Sequence, residues 1–439
     1  MNRNEISFTR EATSEITSKD SNLESGAKTS LRIAMFTAFY APYLSGVSFG
    51  VQVRVRWLLQ QGHEVLLIHP KIDEQYPQGT KNCSMPGLEE LKSYPRFSSY
   101  AYPTKPVLFY QSCPEPRSYH FWSDTKLLAK FRPDLVLISD PIHLWGFNSL
   151  FLGGYGRPIA KEYRQQTGTP VISLFHTDYL TYGQYYLGNW LMKLVSPVIY
   201  LLFRRFSQAH TVNCFASRNM QAKYEAMGFK SCQYMPYLGI DCQKFQPDNI
   251  RYDPTPNDPR PTLLFVGRIA SEKNILQLLA SFSAILSKIP QAHLVIVGIG
   301  PEFNEVRQQA EKFGSKVTIW GASSGTELLG WFAKADIFVN PSLSENFCRT
   351  NMEALASGTP VVASDGGGNS EQIEPGVNGF LAEPNNPQDF AQKVVTILEN
   401  PELKAQMTQQ ARPSVLKFDW SVCLKQCETQ LYELVRAVK

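Results

Sequence analysis

At 439 residues the chain has length for two to three domains at about 150 residues each, which argues against a single small binding module. Hydrophobic residues at 43% and charged residues at 19% make a globular composition rather than a disordered one. The net charge of +4 is too balanced for the basic stripe that grips nucleic acid, so no nucleic-acid partner is expected. Eight scattered cysteines without a CxxC pair fit neither a zinc site nor a disulfide framework; they fit a reduced, cytoplasmic setting.

Residues 1–30 are rich in Asn, Ser, Thr, Glu and Lys and lack an apolar h-region, so they read as a disordered tail and not a signal peptide. Ordered structure is expected from Leu31. LRIAMFTAFY reads as a buried strand, followed by a loop with Pro42 and Gly46, a helix to Gln61 with Gly62 as its C-cap, and the strand HEVLLIHP from His63 to Pro70. The Pro-, Tyr- and Ser-rich stretch 71–125 gives no clear element. DLVLIS at Asp134–Ser139, PVISLFHT at Pro170–Thr177 and AHTVNCFAS around Thr211 continue the strand pattern, with an apolar helix over Leu187–Phe206. That helix holds the longest apolar run, yet Lys193 and Pro197 interrupt it and Arg204-Arg205 end it, short of the ~18 residues of a membrane span.

QPDNIRYDPTPNDPR at Gln246–Arg260 reads as a proline-rich linker. Strand–helix alternation then restarts with PTLLFVGR, HLVIVG, VTIWG, DIFVNPS and PVVASD. The expectation is an α/β chain of two doubly wound, Rossmann-like domains with ligands at the carboxyl ends of the strands. The boundaries fall at 1–30 for the tail, 31–250 for a first domain and 251–412 for a second, with 413–439 as a terminal helix.

Two clusters in the second half point to phosphate and sugar chemistry. Gly267-Arg268 ends a strand and Lys273-Asn274 opens a helix, so two cations can converge on one diphosphate. Alone, they read equally as solvated surface cations. Downstream, PSLSENFCRTNMEALASGTPVVASDGGGNSE places Glu345 eight residues before Glu353. With Glu345 in a loop and Glu353 in the next helix, the N–H groups near Cys348, Arg349 and Thr350 suit a phosphate oxygen. Glu353 then suits ribose hydroxyls, or it is an ordinary solvated face of an amphipathic helix.

The joint pattern GRxxxxKN followed by PSxxExFxxxxxEAxAxGxPVVAxxxGGxxE resembles the retaining nucleotide-sugar glycosyltransferases of the GT-B fold, family 4, over about residues 31–435. The resemblance implies two domains facing a cleft, with the C-terminal helix crossing back to the first. It implies that Arg268 and Lys273 hold the donor diphosphate, that Glu345 touches the donor sugar, and that Asn346 and Phe347 face it through their backbone. Glu353 corresponds to the ribose ligand and Gly46 to the glycine whose loop approaches the diphosphate. Trp320 and Gly321 follow the strand that flanks the nucleobase, with Leu328 near it. Departures from the pattern are Ser45-Gly46 for Gly-Gly, Cys348 for a glycine, and Ser139 where many members carry His, with Asp140 or His143 as stand-ins. Phosphorylase-like chemistry would need a pyridoxal-lysine motif, and none is seen.

Such a reaction needs the leaving diphosphate neutralised, which Arg268, Lys273 and a helix N-terminus supply without a metal; neither metal nor cofactor is expected beyond the nucleotide diphosphate sugar. The catalytic candidates are His176, Glu345 and Asp140. His176, Asp178, Tyr179 and His143 are acceptor candidates at strand ends of the first domain, and Asp178 serves alternatively as a helix cap. Segments PYLSGVSFGV, SDPIHLWGF, FHTDYLTYG and NCFASRNM are more weakly similar to glycolipid-forming members such as sulfoquinovosyldiacylglycerol synthases. A hexosyltransferase acting on a membrane lipid at the cytoplasmic face, with peripheral membrane contact, is therefore favoured. A polysaccharide or soluble acceptor is the alternative, and a non-catalytic sugar-nucleotide-binding protein the second. Helix 187–206 reads either as a core helix or as a bilayer-facing one, the latter suggesting polar replacement of Leu201 and Phe203.

Overall fold

The computed structural model describes residues 30–37, 46–71, 88–102, 104–105, 115–116, 121–139, 157–178, 189–248, 253–254 and 258–438. Asp140, His143, Tyr179, residues 1–29 of the tail and most of 71–125 lie outside them.

The first sheet is built from β1 (Arg32–Thr37), α1 (Gly46–Gln60), β2 (Glu64–Pro70), α2 (Leu88–Lys92) and β3 (Phe97–Tyr102), with a small antiparallel pair of β4 (Thr104–Lys105) and β5 (Glu115–Pro116) beside it in sequence. It continues through α3 (Phe121–Phe131), β6 (Leu135–Ser139), α4 (Arg157–Thr167), β7 (Val171–Phe175), α5 (Asn189–Ser207), β8 (Val212–Phe215), α6 (Arg218–Ala226) and β9 (Cys232–Tyr234). Seven strands lie parallel in the order β3-β2-β1-β6-β7-β8-β9. The runs of consecutive Val, Ile and Leu are buried on both sides, as a parallel sheet covered by helices requires. Gly62 adopts φ +85° and ends α1, a left-handed position where a side chain costs energy.

The second sheet follows from β10 (Thr262–Val266), α7 (Ile275–Lys288), β11 (His293–Val297), α8 (Phe303–Ala310), β12 (Val317–Gly321), α9 (Gly325–Lys334) and β13 (Ile337–Asn340). It ends with α10 (Arg349–Ala356), β14 (Val361–Ser364), α11 (Asn369–Gln372), β15 (Gly379–Ala382), α12 (Pro387–Leu398) and α13 (Pro401–Val415). Its parallel order is β12-β11-β10-β13-β14-β15, so strand order reverses between β10 and β13. That reversal opens a crevice at the carboxyl ends of the two strands.

The last helix, α14 (Trp420–Val438), returns to the first sheet. Trp420, Leu424, Cys427, Leu431 and Val435 are buried in one cluster with Val51, Val55 and Leu58 of α1. Glu428 is buried as well; it receives the Nε2 hydrogen of His63 at 3.0 Å, while His63 Nδ1 accepts from the Leu31 N–H at 3.0 Å. The backbone contact at Nδ1 places the proton on Nε2. Strands Gly379–Ala382 and Cys232–Tyr234, four and three residues long, are too short to announce themselves in sequence. Phe97–Tyr102 sits at the sheet edge with only Tyr102 buried, which explains its weak signal.

Candidate functional site

A cleft of ≈ 350 Å³ opens where the carboxyl ends of the two sheets meet. From the first sheet it is lined by Gly46 and Val47 at the start of α1, His176 and Thr177 after β7, and Leu238. From the second come Gly267, Arg268, Lys273, Asn340, Glu345, Phe347, Cys348, Arg349, Thr350 and Glu353. Ten candidates from the two sequence clusters and the strand ends are thereby brought to one place: Gly46, His176, Arg268, Lys273, Glu345, Phe347, Cys348, Arg349, Thr350 and Glu353.

The basic residues are each held by a carboxylate. Lys273 Nζ donates to Glu345 Oε1 at 2.5 Å. The Arg268 guanidinium pairs with Glu272, whose side chain is wholly buried. Arg349 Nη2 donates to Glu353 Oε1 at 3.0 Å, and its guanidinium lies 4.3 Å over the Phe49 ring of α1. These pairs fix long flexible side chains before any anion arrives, which lowers the entropy cost of binding one. Burial pushes the Glu353 carboxyl above its ordinary value, against the opposing pull of Arg349.

Helix α10 starts at the cleft with Cys348 as its N-cap, and no side chain caps it. The first-turn N–H groups thus carry the positive end of the helix dipole toward the cavity. Burial, with Glu345 nearby, raises the Cys348 thiol to about 12, so it remains a neutral thiol. Behind it lies a buried amide chain missing from the sequence reading. Asn340 Nδ2 donates to Asn351 Oδ1 at 2.9 Å, Asn351 Nδ2 to Asn369 Oδ1 at 2.9 Å, and Asn369 Nδ2 to the Ser364 carbonyl at 3.0 Å. Its position at a strand end beside the reversal point was the signal that could have found Asn340.

The triple glycine has a steric reason. A Cβ on Gly367, at φ +53°, would stand 2.1 Å from the Glu345 carbonyl oxygen, and one on Gly368 would stand 2.2 Å from that of Asn346. Gly368 N–H donates to the Glu345 carbonyl at 2.6 Å. The glycine turn therefore packs directly on the Glu345 loop and sets its height. At Gly46 the requirement differs: a Cβ there meets only Arg349 Cδ, at 3.8 Å. What glycine preserves there is open cleft, not relief of a clash.

His176 is partly buried and its Nε2 lies 2.9 Å from Ser139 Oγ. The serine that stands for the familiar histidine is thus occupied as a partner of His176. Burial holds the imidazole well below its ordinary pKa, and the Arg54 charge pushes the same way, so the ring is neutral at physiological pH.

Asp178, Trp320 and Gly321 lie away from the cleft, and the side chain of Asn346 is engaged between the sheets. Asp178 is buried, pairs with Lys223, and meets Ser344 Oγ at 3.4 Å and Tyr224 Oη at 3.4 Å. It joins the two sheets and is not presented to an acceptor. The Asn346 side chain donates to the Phe175 carbonyl, a second bridge between the sheets. Trp320 packs on Trp331 with ring centroids 5.1 Å apart and does not line the cleft; nor does Gly321, at φ +85°. Among the described residues no three His, Cys, Asp or Glu side chains converge as a metal site.

Comparison with known proteins agrees with this arrangement. Residues 44–243 match the model described as Glycosyltransferase Family 4, and residues 247–414 match Glycosyl transferases group 1. The chain is 28% identical to the sulfoquinovosyl transferase SQD2 of Arabidopsis thaliana, covering 89% of this chain and 71% of the relative. It is 27% identical to a GDP-mannose-dependent alpha-mannosyltransferase of Mycolicibacterium smegmatis (89% and 94%) and 28% identical to an alpha-monoglucosyldiacylglycerol synthase of Streptococcus pneumoniae (76% and 71%). The fold matches Anabaena HepE, solved with UDP and glucose, at a TM-score of 0.64 and 17% identity over 92% and 99% of the two chains. Paired parallel sheets, a cleft at their reversal points and two family models in series lead to one conclusion: the chain is an enzyme of the family 4 glycosyltransferases, with the GT-B fold.

Proposed function

We propose that the enzyme transfers a hexosyl group from a nucleoside diphosphate sugar to a hydroxyl of a membrane lipid, with retention of anomeric configuration and without a metal. The observation that carries this reading is the convergence of Arg268, Lys273 and the N-terminus of α10 on one cleft, with Glu345 and Glu353 beside them. Two cations and a helix dipole can take up the charge of a leaving diphosphate as the bond from the anomeric carbon to the diphosphate oxygen breaks. The acceptor oxygen bonds to that carbon from the same face, and its proton passes to the departing oxygen, so no protein nucleophile is required. Glu345, tied to Lys273, is assigned to the donor sugar and Glu353 to the ribose. His176, neutral and next to the cleft wall, is assigned to the acceptor hydroxyl as a polar contact.

The lipid acceptor is supported by the relative named for diacylglycerol glucosylation, and a UDP donor by the UDP found in HepE. The test is incubation with UDP-glucose, UDP-galactose, UDP-sulfoquinovose or GDP-mannose and diacylglycerol in mixed micelles, in EDTA, followed by NMR of the product. An α-linked glycolipid from an α-linked donor is the expected product. An inverted linkage, a chelator-dependent reaction, or transfer only to soluble saccharides would overturn the corresponding part of the reading.

A further inference from the structure

Helix α5 is apolar on two opposite faces, and the cleft uses neither directly. On the inner face Ile199, Phe203 and Phe206 are buried against Phe175, Phe215, Tyr224 and Phe229. On the outer face Trp190 is 78% exposed, Leu194 65%, Val198 57% and Leu201 51%. At 3.6 residues per turn these four fall within an arc of about 80°. Four of the eleven exposed large hydrophobics among the described residues fall in this one arc, so they form a stripe and not the scatter of an ordinary surface.

The sequence of α5 contains Lys193, Arg204 and Arg205 and no acidic residue. Arg204 and Arg205 are exposed at its end, and the backbone N–H of exposed Lys230 donates to Ser207 Oγ at 3.1 Å beside them. An exposed apolar stripe of this kind marks an interaction surface. An apolar stripe ended by cations fits an anionic bilayer: the stripe enters the acyl boundary and the guanidinium groups reach lipid phosphates.

We propose that the outer face of α5 is a docking surface for a bilayer containing anionic lipid. The placement couples to the site. Phe206, on the inner face, meets the Phe175 ring edge-on at 6.2 Å, and Phe175 immediately precedes His176 in the cleft wall. A bilayer held by the outer face of α5 therefore lies one helix diameter, about 10 Å, and the Phe206–Phe175 contact away from the assigned acceptor contact. The inference rests on the lipid-acceptor reading above. It also revises which residues test it: Phe203 belongs to the core, so its replacement would report on folding.

The experiment is flotation of the full chain with vesicles of phosphatidylcholine, alone or mixed with phosphatidylglycerol, at low and high salt. The parent should float with the mixed vesicles, less with phosphatidylcholine alone, and less in high salt. The variant W190E/L194E/L201E should lose at least about tenfold in vesicle affinity while keeping near-UV circular dichroism and donor affinity. Its transfer to vesicle-borne acceptor should fall while transfer to micellar acceptor persists. A second variant, R204Q/R205Q, keeps the apolar stripe and should lose mainly the phosphatidylglycerol dependence. Parental flotation by the folded triple variant would overturn the proposal. So would a parent that ignores vesicles but forms a dimer that the triple variant dissolves, since the stripe would then be covered by a second copy. Vesicle binding lost in the variant, with no lipid glycosylated by the parent, would leave the docking surface standing and remove the acceptor reading instead.

Discussion

At the residue scale the cleft is built from charges held in advance. Glu353 shows what that costs. Its carboxyl is raised above the ordinary value by burial, so the folded state holds its proton more tightly than the unfolded chain does. That contribution to stability is present below the unfolded value and is lost as pH rises through the folded one. Glu353→Gln should therefore raise Tm at neutral pH and flatten the stability slope just above the ordinary carboxylate range, while weakening donor binding; thermal melts against pH check this. Glu272→Gln should leave the fold intact and weaken donor binding by about tenfold, because Arg268 loses the buried partner that orients it; calorimetry reads the loss. The spacing of Glu345 and Glu353 made both legible, since a loop and the second turn of a helix dictate where they point. The Asn340–Asn351–Asn369 chain was not legible, because three asparagines on separate elements meet only after the sheet has formed.

At the scale of elements, the two sheets are tied by helix ends and strand ends. Glu371 of α11 accepts from Ser217 Oγ at 2.8 Å, the Arg218 N–H at 3.0 Å and the Asn219 N–H at 2.6 Å, so a carboxylate from the second sheet caps α6 of the first. Asn219 returns a bond to the Gly367 carbonyl at 3.1 Å. Glu371→Ala should cost about 0.5–2 kcal/mol in denaturant unfolding, as loss of a cap does. Gly368→Ala should cost donor affinity more than stability, because it lifts the Glu345 loop; donor titration against the unfolding midpoint separates the two. The glycine run and the glutamate three residues beyond it were visible as a motif. The purpose of the glutamate was not, since it lies in contacts with residues more than 150 positions away.

At the scale of the whole molecule, most of the parallel strands were readable because fully buried strands are unbroken apolar runs. The edge strands Phe97–Tyr102, Cys232–Tyr234 and Gly379–Ala382, and the tie that Asp178 makes between the sheets, carried no local signal. The return of α14 is held by an apolar stripe and by the buried His63–Glu428 bond. Removing one partner, as in Glu428→Ala, leaves the buried His63 Nε2–H unsatisfied and should destabilise the protein by about 1–3 kcal/mol, and chemical unfolding measures it. The central claim is that the cleft holds a nucleoside diphosphate sugar through Arg268, Lys273 and α10. Calorimetric titration of UDP- and GDP-sugars in EDTA, into the parent and into Lys273→Ala, tests it most directly. The account predicts saturable binding of one donor by the parent and a loss of about 10- to 100-fold in the variant. Equal affinity in both proteins, or binding that disappears with the chelator, would contradict it.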